Sequence, residues 1–230
     1  TAPDRLEYLA GFGNTFATEA VAGVLPRDQS SPRELPYGLY AEQINGTGFT
    51  VERRRNRRSW LYRLRPQISA RAFERVSHDW LAEDFSDGIP SPEPMRFKPL
   101  GRATGERDWL AGLTTFAGVG EPGLKRGLAV HLYLANRDME RVLCDVDGDL
   151  VVVPEQGRLR LQTELGWLEV APGEIAVLPC GIRFRVSLPD GSARGFVAEL
   201  FDGHMELPER GPVGANGLAD ERHFLHPVAA

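Results

Sequence analysis

The sequence predicts an all-β molecule built as a sandwich or small barrel, and three observations carry that expectation. Between Gly127 and Phe201 eight strand-like segments follow one another with only turn residues between them. Within them apolar and polar residues alternate with period two, as a half-buried strand requires. Glycine and proline number 25 and 17 of 230 residues, well above their usual joint share of about 12%, which disfavours long helical bundles.

Taken in order, the first 126 residues are irregular. YGLYAEQI (Tyr37 to Ile44) and SWLYRL (Ser59 to Leu64) read as short strands between Gly, Pro and charged stretches. Over Asp84 to Pro99 the fixed φ and missing amide hydrogens of Pro90, Pro92, Pro94 and Pro99 exclude a continuous helix or a central strand, so this segment belongs on the surface. The strand candidates then begin: LAVHLYLA (Leu128 to Ala135), ERVLCDV, DLVVVP, GRLRLQTE, GWLEVA, EIAVLP, IRFRVSL and ARGFVAELF. Alternation is clearest in RLRLQTE, where Leu159, Leu161 and Thr163 face one way and Arg158, Arg160, Gln162 and Glu164 the other. Asp147-Gly148, Leu165-Gly166, Pro172-Gly173 and Asp190-Gly191 mark the turns. The predicted division is an arm of short strands and loops (1–126), a barrel (127–206) and a Gly/Pro-rich tail (207–230).

Charge and length narrow the function. Against 27 basic residues stand 32 acidic ones, for a net charge of −5, so bulk charge argues against a nucleic-acid binder. The longest apolar runs fall far short of the ~20 residues that cross a bilayer. No signal-peptide pattern opens the sequence. Cys144 and Cys180 form no C-x-x-C pair, and a reducing, cytoplasmic setting is the simplest reading.

Several constellations carry chemistry in principle. Gly118-Val119-Gly120-Glu121-Pro122-Gly123 satisfies G-x-G-x-x-G, yet a dinucleotide site needs a helix opening on the pyrophosphate, and a strand follows here. Arg53, Arg54, Arg55, Arg57 and Arg58 with Trp60 and Tyr62 resemble a backbone-binding patch with stacking aromatics; in an acidic protein they read as a solvated hairpin or subunit contact. Asp145, Asp147 and Asp149 offer hard oxygen ligands without EF-hand spacing, and a hairpin turn with solvated acids is the plainer reading. His204 and Glu206 with His223 and His226 contain the residue types of a two-histidine, one-carboxylate iron site, but only if the fold gathers them. His131 lies in opposite phase to Leu128, Val130, Leu132 and Leu134 and reads as a hydrogen-bonded structural histidine.

One stretch resembles the second motif of the cupins, double-stranded β-helix (jelly-roll) barrels whose metal ligands sit on inward-facing strand positions: G-x5-P-x-G-x2-H-x3-N. Gly173, Pro179 and Gly181 keep that frame, but Phe184 stands at the histidine position and Leu188 at the asparagine position. Ile182, Phe184, Val186 and Leu188 share one strand face, which puts a hydrophobic plug where a ligand would be. The first cupin motif would place histidines near Val142 to Asp147, and none is there. The expected fold is therefore a cupin-like barrel lacking metal ligands.

The chain as a whole is similar to the N-terminal part of the homogentisate 1,2-dioxygenases. YLAGFGNTF (Tyr8 to Phe16), PYGLYAEQINGTGFT (Pro36 to Thr50), NRRSWLYRLRP (Asn56 to Pro66), RFKP (Arg96 to Pro99), GLAVHLYLAN (Gly127 to Asn136), DGDLVVVPEQG (Asp147 to Gly157) and GPVGANGLA (Gly211 to Ala219) carry the resemblance. It implies an Fe(II) enzyme of tyrosine and phenylalanine breakdown that opens the ring of homogentisate with O2 to give maleylacetoacetate. It also implies a homo-oligomer, a trimer or hexamer, and a role for the GFGN and GANGL loops that stays open between active site, interface and plain glycine turns. In that family the ligands, two histidines and a glutamate, lie beyond the segment that corresponds to this chain. No catalytic, cofactor or metal residue is assigned here, and the tail leads toward a missing C-terminal domain. The expectation is an inactive N-terminal part, with no nucleic-acid or membrane partner; a non-catalytic cupin-like module for a small ligand or protein partner is the alternative.

Overall fold

A computed structural model describes residues 5–11, 16–26, 35–44, 51–52, 55–56, 58–69, 72, 78, 80–82, 84–85, 92–94, 96, 105–206 and 220–230. They fall into two compact units. One comprises Thr1–Val76, Leu165–Trp167 and Leu207–Ala230, the other Ser77–Glu164 and Leu168–Glu206.

In the first unit β1 (Tyr8–Ala10) pairs antiparallel with β13 (Leu225–Pro227), so segments at opposite ends of the sequence form one small sheet. The Gly11 amide extends the pairing by donating to the Phe224 carbonyl at 2.9 Å. A separate hairpin joins β2 (Tyr40–Ile44) to β3 (Ser59–Arg63), where Glu42 and Arg63 pair at 2.9 Å across the strands.

The second unit holds the all-β barrel fold that the strand pattern predicts. Its five-stranded antiparallel sheet has the order β10-β7-β12-β5-β4, from β4 (Leu113–Glu121), β5 (Arg126–Ala135), β7 (Asp149–Gln156), β10 (Ala176–Leu178) and β12 (Ala193–Leu200). A four-stranded sheet has the order β6-β11-β8-β9, from β6 (Leu143–Cys144), β8 (Leu159–Thr163), β9 (Gly166–Val170) and β11 (Arg183–Ser187). From β5 to β12 the chain crosses repeatedly between the sheets, which is the winding of a jelly roll. The inward phases of both sheets meet in one core containing Tyr133, Val152 and Val197 from one side and Leu159, Leu161, Phe184 and Val186 from the other.

Alternation in RLRLQTE holds: Leu159 and Leu161 are fully buried while Arg160 and Gln162 point outward. Outside this sheet Arg158 reaches Asp190 at 2.7 Å and Glu169 at 3.1 Å, and Arg160 reaches Glu169 at 2.7 Å. That face is wet and charged.

One observation differs from the sequence reading, and a second settles a phase that the reading left open. A nine-residue strand, β4, precedes Gly127 inside the stretch read as irregular. It is an edge strand, bulged between Thr115 and Ala117, and its glycines and threonines mask the period-two signal. In β5, moreover, the buried phase is Ala129, His131, Tyr133 and Ala135, whereas the leucine phase lies on the outer face. Among the described residues no helix is long and apolar enough to cross a membrane.

Candidate functional site

One end of the barrel gathers its polar inward groups. β5 and β12 pair so that Val197 lies opposite His131 and Glu199 opposite Ala129, which sets Glu199 diagonal to His131 on the same inner face. His131 Nε2 sits 3.0 Å from Glu199 Oε2, and Nδ1 sits 3.1 Å from Thr115 Oγ1. In the tautomer whose Nε2 hydrogen points to the Glu199 carboxylate, Nδ1 accepts from the Thr115 hydroxyl. That hydroxyl in turn accepts from the Ala82 amide at 2.9 Å. The imidazole is buried and committed on both nitrogens.

Glu199 faces the turn between β6 and β7. Oxygens of Asp145, Asp147 and Glu199 lie within 4.8 Å of one another. Asp145 Oδ1 accepts from the Asp147 amide at 2.8 Å and the Gly148 amide at 3.3 Å, an Asx-type closure of the turn. Lys125 Nζ donates to the Val146 and Asp147 carbonyls at 2.6 and 2.9 Å. Burial, then the charge of Glu199, push the Asp145 carboxyl up to about 7, against the opposing pull of the two backbone amides. Chemically, the three carboxylates can share a proton or accept a hard cation.

Asp149, expected beside Asp145 and Asp147, goes elsewhere. It is buried and accepts from the Cys180 and Met205 amides, each at 2.8 Å, and from His204 Nδ1 at 3.1 Å. This ties the start of β7 to the Pro179–Gly181 turn and to the segment after β12. Burial pushes the Cys180 thiol up, which makes it a poor nucleophile. Glu199 is the carboxylate that replaces Asp149 in the cluster. Its position depends on strand pairing across nearly seventy residues (|i−j| = 68 for the His131 contact), and its only local signal is a lone acid in an apolar run, VAELF.

The remaining sequence candidates separate. Phe184 is buried and meets the Trp109 ring edge-on at 5.7 Å, with Ile182, Val186 and Leu188 on the same buried face. His226 Nε2 contacts the Gly11 carbonyl at 2.7 Å and His78 Nε2 the Leu110 carbonyl at 2.8 Å. Within the barrel unit His131 pairs with Glu199 and His204 with Asp149, two different carboxylates, and the oxygen-only cluster found among the described residues suits a hard cation better than Fe(II). Gly118 and Gly120 end β4, and a single 3-10 turn at Pro122–Leu124 leads straight into β5, so the glycine string forms a hairpin corner. There a side chain on Gly120 or Gly127 would strike the opposing backbone. Arg55 and Arg58 lie just ahead of β3, with the Arg58 amide capped by Asn56 at 3.0 Å. Arg53, Arg54 and Arg57 lie outside the described residues, as do GANGL and most of GFGN.

Comparison with known proteins places this architecture. A homogentisate dioxygenase of Arabidopsis thaliana is 49% identical over 231 residues, covering 98% of this chain and 50% of that protein. The chain therefore spans about half the length of the curated relative it matches. Among solved structures, a cupin-2 domain protein of Shewanella frigidimarina overlays 32% of this chain and 70% of its own at 16% identity and a TM-score of 0.29. A cupin superfamily protein of Desulfitobacterium hafniense overlays 50% and 95% at 11% identity and a TM-score of 0.34. The strand order and register given above, rather than these partial overlays, define the cupin-like fold. The family model described as homogentisate 1,2-dioxygenase N-terminal matches residues 7–230, and the chain belongs to that family.

Proposed function

We propose that this chain is the N-terminal part of an Fe(II)-dependent homogentisate 1,2-dioxygenase, which opens the ring of homogentisate with O2 to give maleylacetoacetate in tyrosine and phenylalanine breakdown. The observation that carries this reading is the 49% identity sustained over nearly the whole chain against half of a homogentisate dioxygenase. Iron would bind the aromatic substrate and O2 and promote electron transfer between them. The iron ligands are assigned to polypeptide outside residues 1–230, a reading supported by His131 and His204 each being paired with a carboxylate inside the barrel unit, and no step of ring cleavage passes through these side chains.

This chain's share is structural. The core around Phe184 fills the barrel where a metal-binding cupin holds its ligands, and the barrel, to which β4 adds an edge strand ahead of the predicted boundary at 127, is the platform for the rest of the enzyme. The assembled protein is a cytoplasmic homo-oligomer with homogentisate and O2 as its small-molecule partners. Iron content and homogentisate-dependent O2 uptake test the reading. The 230-residue chain is expected to hold no stoichiometric iron and to form no maleylacetoacetate, while the full-length chain does both. Ring cleavage by the 230 residues alone would overturn it.

A further inference from the structure

The barrel has two unlike exteriors. Outside the four-stranded sheet, Arg158, Arg160, Glu169 and Asp190 form a charged network. Outside the five-stranded sheet the middle of the outward phase is apolar, bounded at one end by the Arg194–Glu155 ion pair and at the other by Glu121 opposite Arg126: Phe196 lies between Leu132 of β5 and Val153 of β7, Val177 of β10 lies opposite Val151, and Val119 of β4 opposite Leu128. Val119, Val177 and Phe196 remain 61%, 46% and 42% exposed. An antiparallel sheet with water on one face carries polar residues there; strands apolar on both faces belong to sheets covered on both.

We propose that this outer face of the five-stranded sheet is the seat of the second half of the full-length protein, packed against the barrel within one polypeptide. The inference rests on the reading that the chain is the first half of a longer enzyme, and it names the surface by which that half is held. The family relative has about as much sequence again beyond the matched region, enough to supply a covering layer. Size favours a linked partner over a second copy. Five strands about 4.8 Å apart, with roughly six paired residues at about 3.4 Å each, give a face on the order of 400 Å². A stable complex between separate chains commonly needs about 800 Å² per partner, whereas interfaces inside one chain succeed with less because the linker holds the effective concentration high.

The test places lysine on the face and off it, in chains of two lengths. Val177→Lys and Phe196→Lys occupy the face; Val142→Lys, 59% exposed in the loop before β6, is the control. In the full-length chain the two face variants are expected to lower the thermal midpoint by on the order of 5 °C or more, because a charge is buried without a partner. In the 230-residue chain the same variants should shift it by less than about 2 °C, as substitutions at solvent-facing sites do. The control should be neutral in both. Hydroxyl-radical footprinting of the unsubstituted proteins covers the case in which a variant fails to fold: oxidation of Phe196 and Leu128 should be several-fold slower in the full-length chain. Equal shifts and equal oxidation at both lengths would overturn the proposal. So would protection that appears in the 230-residue chain and rises with its concentration, which would assign the face to a second copy. Homogentisate cleavage by the unsubstituted full-length chain is scored separately; its absence with protection retained would sink the enzymatic reading and leave the docking face standing.

Discussion

Phe184 illustrates how strand alternation decides what lines the inside of the barrel. The strand's alternation turns it inward, where its ring meets Trp109 edge-on. Its burial contributes on the order of 1.5–3 kcal/mol from transfer alone, and Phe184→Ala should cost about 3–5 kcal/mol once the cavity is included, measurable by chemical denaturation. Asp145 makes a second prediction. Its folded-state carboxyl titrates near 7 because it is buried beside Glu199, above its ordinary value. The native state therefore binds the extra proton between those two values, and this group's contribution to stability is fully present at acid pH and is lost as pH rises through about 7. Asp145→Asn should flatten the fall in denaturation free energy between pH 5 and 8; an unchanged slope would show that Asp145 is not its source. Phe184 was legible in the sequence because local alternation fixes which way it points. Glu199 was not, since its place beside Asp145 and His131 depends on which distant strands pair and in what register.

Among the elements, β12 is constrained on both sides. It pairs with β5 on one side and β7 on the other, and its register against β7 shifts between Arg194 and Gly195. Gly195 lies opposite Tyr133, where an added Cβ would sit 2.6 Å from the phenol oxygen and closer still to the Val153 carbonyl oxygen. Gly195→Ala should therefore destabilise the barrel by about 1–3 kcal/mol through overpacking, read as a lowered denaturation midpoint; a neutral result would mean that the sheet opens there at little cost. The strands from β5 to β12 were visible because turn dipeptides and alternation agree. β4 was hidden because an edge strand tolerates glycine, threonine and a bulge, which erase the periodicity. The phase of β5 was ambiguous for a different reason: LAVHLYLA is apolar on both faces, and an apolar outer face makes the buried phase unreadable until the pairing of β4 and β12 with it is known.

At the scale of the molecule, the barrel followed from patterns within short windows, whereas family membership followed from strings scattered along the chain, and the Arabidopsis relative matches across 98% of it. Patterns within short windows could not reveal the first unit, whose small sheet joins the two extremes of the sequence. The His226 ring and the Gly11 carbonyl meet although 215 positions separate them. Closing so wide a loop is entropically slow, and contacts of this kind form late in folding compared with neighbouring hairpins. During synthesis on the ribosome, Tyr8–Ala10 accordingly waits without its mate until Leu225–Pro227 has left the exit tunnel, and over that whole interval the early edge stays open to chaperones.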